Sequence, residues 1–131
     1  MEILSSRILI RAQDPACTLD FYKNTLGLQV YREFGPKQSP SQVFFLGGGF
    51  LEVSGQSNAP ATDATRIWLQ VADLEQTYAR LLEYDVEIPK PPRTQPWGLL
   101  EMTALDPDGR ELVFVQVPEN HPLRRDNRPH D

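Results

Sequence analysis

Cysteine is nearly absent from this sequence: Cys17 is the only one among 131 residues. A single cysteine excludes an intrachain disulfide and any site built from several thiolates. Its place in a predicted helix gives it the role of a small core residue. Histidine is almost as scarce, with His121 and His130 both in a polar C-terminal stretch where solvated side chains are expected. No apolar run approaches the roughly 20 residues of a membrane span. The first residues also lack the basic start and apolar stretch of a signal peptide, so a cytoplasmic protein with no membrane partner is expected. Lys and Arg number 13 against 18 Asp and Glu, a net charge of −5. Polyanions are held by the opposite balance, so nucleic acid is not an expected partner.

What is present is a globular composition, 40% apolar and 24% charged, long enough for one domain or two half-size units sharing a core. RILIRAQD at 7–14 and RIWLQVAD at 66–73 open two similar runs. In the first, residues 7–12 read as a strand. Asp14-Pro15 then starts a helix that should reach Leu26 before Gly27 ends it. Strands follow at 28–33, 41–46 and 49–55, and QSNAPATDA at 56–64 is a small, polar linker. The second run repeats the order. After the strand from Arg66, Asp73 caps a helix with Leu74, Tyr78, Leu81 and Leu82 at helical spacing. A strand weakened by prolines is expected at 84–90, and a hairpin joins 99–105 to 111–117 around Asp106-Pro107-Asp108-Gly109. The tail from Pro118 has no period, and Leu123 is the only large hydrophobe among the last ten residues. It is expected to add little to folding.

This duplicated βαβββ order resembles the vicinal oxygen chelate superfamily. The likeness also rests on the Asp-capped helices, FYKNTLGL closing the first helix, and DPDG before the last strand. Members include glyoxalase I, extradiol dioxygenases, and fosfomycin and bleomycin resistance proteins. The resemblance covers residues 7 to about 117, and QPWGLLEMTALDPDG at 95–109 is most similar to the bleomycin-resistance and glyoxalase-like branch. It implies an α+β fold of paired βαβββ modules, 5–55 and 65–117, forming curved mixed sheets around a cleft in one domain over 1–117, with 118–131 as a polar tail. Clefts in this family are often completed by a second subunit, so a homodimer is expected.

The strand period of two sorts the residues by face. Ile8, Ile10 and Ala12 suit the helix side, which leaves Arg7, Leu9 and Arg11 on the cleft side. By the same parity Phe50, Glu52 and Ser54, then Arg66, Trp68 and Gln70, line the cleft. So do Leu99, Glu101 and Thr103, and Glu111, Val113 and Val115. Metal-dependent relatives carry a histidine at the start of each module's first strand and a glutamate on each last strand. Carried over, these positions fall on Arg7, Arg66, Glu52 and Val113. Guanidinium stays protonated and has no lone pair for a cation, so no metal and no other cofactor are expected, even with Glu111 sharing the face of Val113.

Two readings remain for Arg7, Glu52 and Arg66. Either the guanidinium groups stand in for the metal and are tied by Glu52, or they form an anion site beside Phe50, Trp68 and Trp97. Trp97 either stacks on a ligand or is buried by its Pro-Trp-Gly turn. The resulting expectation is a metal-free binding protein that sequesters an aromatic or anionic metabolite or antibiotic. Its ligand residues would come from Arg7, Arg11, Phe50, Glu52, Arg66, Trp68, Trp97, Glu101, Glu111 and Val113. The alternative is a glyoxalase-like lyase or isomerase using Glu52, Glu101 or Glu111 as base, with an arginine for the oxyanion.

Overall fold

Alternation in RILIRA produces β1 (Arg7–Ala12) in the computed structural model, which describes residues 1–123. Ile10 and Ala12 are buried on one side, whereas Ile8 at the start of the strand stays exposed. Asp14 then caps α1 (Pro15–Asp20), its carboxylate accepting from the Cys17 amide at 3.1 Å, with Pro15 in the first turn, where a missing N–H costs nothing. The helix continues as a π-helical turn over Phe21–Thr25. Thr18, Phe21, Tyr22 and Thr25 form its buried stripe. Phe21 and Tyr22 meet edge-on at 5.1 Å, and Tyr22 lies 6.4 Å from Phe44.

Cys17 sits outside that stripe and is exposed, which corrects the expectation of a core thiol. It precedes Thr18 by one residue, a turn of about 100° away from the buried side. Its thiol is nonetheless pushed above the ordinary value, first by partial desolvation and then by the carboxylates of Asp14 and Asp20.

Gly27, at φ 72°, ends the helical segment. β2 (Val30–Phe34) begins two residues later than the sequence pattern suggests, because the Leu28 amide is already donated to the Tyr22 carbonyl at 3.0 Å. β3 (Ser41–Leu46) and β4 (Gly49–Gln56) complete a four-stranded sheet in the order β1-β4-β3-β2. β1 runs parallel to β4 and the other pairs are antiparallel. The parallel pair is what requires the helical crossover. Leu51 and Val53 face the helix side and are fully buried with Phe44. This first compact unit comprises Met1–Thr62 together with Pro107–Gly109.

The second unit repeats the topology. β5 (Ile67–Gln70), α2 (Leu74–Glu83), β6 (Lys90–Thr94), β7 (Leu100–Leu105) and β8 (Glu111–Gln116) give a sheet in the order β5-β8-β7-β6, with β5 parallel to β8. Asp73 caps α2 by accepting from the Gln76 amide at 3.1 Å, and the Gln116 side chain accepts from the Leu74 amide at 2.8 Å. Leu74 and Leu81 are buried, but Leu82 is turned outward, which removes it from the expected stripe.

The strand expected at 84–90 is displaced to β6. Amides of Tyr84, Asp85 and Val86 bond back to the carbonyls of Arg80, Leu82 and Leu81, and Asp85 takes a left-handed φ of 55°, so these residues finish the helix. β6 is the sheet edge, where proline is tolerated, and its register with β7 shifts between Lys90 and Arg93, the interval that holds Pro91 and Pro92. The architecture is thus the expected α+β fold, two mixed four-stranded sheets in paired βαβββ units.

The start of the tail is laid on the second unit. Leu123 packs on the buried cluster Leu99, Val113, Val115 and Val117 of the second unit. His121 lies among the described residues, whereas His130 and the remainder of the tail lie outside them. No helix among the described residues is long and apolar enough to cross a membrane.

Candidate functional site

The candidate residues fall into two sets, one in each unit. In the first, register places Arg7 opposite Phe50 and Leu9 opposite Glu52. Arg7 Nη1 donates to Glu52 Oε1 at 2.9 Å, and Ser54 Oγ donates to Glu52 Oε2 at 2.7 Å. Glu52 is only 9% exposed. The Ser54 hydrogen bond holds its carboxyl below the ordinary value. Burial opposes this, and the hydrogen bond and charge of Arg7 and the charge of Arg32 reinforce it.

Arg7 also lies over the Phe50 ring at 5.9 Å, and Tyr31 and Phe45 close an aromatic trio with ring centres 4.8 to 5.6 Å apart. Tyr31 and Phe45 were not singled out from sequence. The available signal was the strand pairing that sets Phe45 opposite Phe50. Arg11 departs from the cluster. The β1–β4 register shifts between Ile10 and Ala12, and the Arg11 side chain runs along Gly55, where an added Cβ would stand 3.5 Å from Nε.

In the second unit, Arg66 Nε lies 3.6 Å from Glu111 Oε2, with both side chains partly exposed. Arg66, Glu101 and Thr103 wall a cavity of about 620 Å³ together with β6 and its approach, Pro89 to Arg93, and Trp97. Trp97 owes its position to the β6–β7 turn. Gly98 donates to the Gln95 carbonyl at 2.9 Å, Pro96 sits in the turn, and Gly98 adopts φ 89°, which favours glycine. The indole is 58% exposed, and its Nε1 donates to Glu101 Oε2 at 2.6 Å. The turn therefore presents the indole instead of burying it.

Three cations, Arg66, Lys90 and Arg93, share this cavity with one carboxylate, Glu101. The residues of β6 escaped sequence reasoning because the strand was placed too early. Trp68, Glu111 and Val113 are not among the cavity walls. Trp68 is exposed, and Val113 is buried in the apolar cluster beneath Leu123.

Residues 5–114 match the Glyoxalase/Bleomycin resistance protein/Dioxygenase superfamily. The chain belongs to this superfamily. Solved structures agree in fold. A superfamily member from Sphaerobacter thermophilus is 25% identical, with a TM-score of 0.72 over 88% of this chain and 98% of its own. SMU.1112c is 20% identical, with a TM-score of 0.72 over 88% and 98%. TioX from Micromonospora sp. ML1 is 18% identical, with a TM-score of 0.69 over 87% and 100%. No curated protein matches the sequence.

The residues at the metal positions of the superfamily do not fit a divalent cation here. Both oxygens of Glu52 are engaged by Arg7 and Ser54, Val113 has no donor, and Arg7 and Arg66 are cationic. The arginines pair within their own units, Arg7 with Glu52 and Arg66 with Glu111, so Glu52 is not the common partner of both.

Proposed function

We propose that the protein is a small-molecule binding protein of the bleomycin-resistance type that sequesters an aromatic anion, a metabolite or antibiotic, through side chains alone. The observation that carries this reading is the second unit's cavity, which holds an exposed indole and an excess of cations. An aromatic body stacks on Trp97, and its carboxylate, sulfonate or phosphate meets Arg66, Lys90 or Arg93. Titration of tryptophan fluorescence with 1-naphthoate and with a planar cation of equal size tests it. The anion is expected to bind and the cation is not. Arg93→Met is expected to weaken the anion by about tenfold, near 1.5 kcal/mol for one charge-assisted hydrogen bond. Equal affinity for anion and cation would overturn the reading.

Glu101 supports a second reading, a lyase or isomerase, because it is the cavity's single carboxylate and sits beside cations able to stabilise an oxyanion. Glu52 is the poorer base, being buried, doubly hydrogen-bonded and held ionised. Loss of turnover with retained binding in Glu101→Gln would favour the enzyme.

A homodimer is part of the proposal. Leu9, Tyr31 and Phe45 leave the first sheet with an exposed apolar face of the kind that association covers. Sedimentation at high micromolar concentration is expected to give twice the chain mass, and a monomer there would contradict it.

A further inference from the structure

The second sheet carries an apolar strip that the chain itself covers. Leu99, Val113, Val115 and Val117 are buried, and Leu123 packs on them. Val113 and Val115 pair across the sheet with Thr103 and Glu101, so the strip is continuous with the cavity wall those two residues form. The His121 amide donates to the Pro118 carbonyl at 3.0 Å, closing a turn. The His121 ring accepts the Leu123 amide at Nδ1, 3.1 Å, and its Nε2 lies 3.1 Å from the Trp97 carbonyl oxygen. Both contacts together require a neutral ring with its proton on Nε2. The imidazole lies against Gly98, where an added Cβ would be in van der Waals contact with it, 3.4 Å from His121 Cδ2. The imidazole thereby ties the segment to the turn that presents Trp97.

We propose that residues 118–123 form a displaceable strap. Leu123 fills the apolar end of the second unit's ligand face, and an anion with an apolar body competes with it for that place. This rests on the reading of the cavity as a ligand site and extends it. The ligand class becomes an amphiphilic anion whose apolar part reaches Val113 and Val115, and the chain's own leucine sets the threshold for entry. Leu123 packs on Val113 and Val115, which are buried on a strand face that also carries Glu111. The strap gives Leu123 a role that the surrounding polar sequence does not suggest.

Titration of the full chain with 8-anilinonaphthalene-1-sulfonate, an anion with an apolar body, tests the strap. Leu123→Ser is expected to bind the probe about tenfold more tightly than the wild type. Leu123→Phe keeps the plug and is expected to bind it no more tightly than wild type, which separates strap release from general loosening. Arg66→Met is expected to weaken the probe severalfold. If Arg66→Met weakens binding while Leu123→Ser leaves it within twofold, the strap is overturned and the anion site stands. If Leu123→Ser tightens binding and Arg66→Met changes nothing, displacement of the strap is supported, but the anion reading falls and the amphiphilic-anion ligand class falls with it. Equal tightening by Leu123→Ser and Leu123→Phe, or no binding by any form, overturns the strap.

Discussion

Asp106→Ala is expected to remove about 3–5 kcal/mol of stability, the cost of leaving a buried charge without its partner. Asp106 has a fully buried side chain. One of its oxygens accepts from the Arg110 amide at 3.0 Å and the other from Arg110 Nη1 at 2.9 Å. Arg110 is itself only 12% exposed at the side chain, so solvent does little to screen the charge that would remain. The pair closes the turn between β7 and β8, where the Asp106 amide also donates to the Arg110 carbonyl at 2.9 Å. Asp106→Asn keeps an acceptor for the amide and should lose less. Urea unfolding checks the order, and a loss under about 1 kcal/mol for the alanine variant would contradict the account.

Arg7→Met is expected to cost about 1.5–3 kcal/mol, less than the Asp106 change because Arg7 is 35% exposed at the side chain and partly screened. The damage lies in what remains, a nearly buried Glu52 held by Ser54 alone at hydrogen-bond distance. Adding Glu52→Gln should therefore restore part of the loss. The pH dependence follows from the direction of the shift. Glu52 is held below its ordinary 4.5, so its contribution is complete above that value and is lost as pH falls through the lower folded value. The gap between wild type and Arg7→Met should be widest above about pH 5 and should close in acid. Arg66→Met, whose partner Glu111 is 3.6 Å away and partly exposed, should cost under about 1 kcal/mol. Strictly additive losses for Arg7→Met and Glu52→Gln would refute the pairing.

The faces of the strands were legible in sequence because the strand period is local: each residue of RILIRA or GFLEVSG carries its own orientation. The Asp14 and Asp73 caps were legible for the same reason. Pairing was not, since parity puts Arg66 and Glu52 on candidate faces without saying which carboxylate each arginine meets. Most of the cavity was missed through β6. Two consecutive prolines weaken any strand reading, and only the sheet's edge position makes KPPRT a tolerable strand. Leu123 stood out as the lone large hydrophobe of the tail's last ten residues, but its docking was not legible, because a single anchoring side chain has no period to detect.

The Asp-Pro-Asp-Gly turn serves both units. Asp106 holds the start of β8, while two residues on Asp108 accepts the Gln13 amide at 3.1 Å and the Ala61 amide, the latter at its carbonyl oxygen, also at 3.1 Å. The division of the molecule in space is therefore not a division of the chain. A first half released at the linker would lack the acceptors for Gln13 and Ala61, next to the aspartate that starts its helix. The first unit thus draws three residues from the second half of the sequence, and an exchange of the first half for a homologous half has to carry this turn with it.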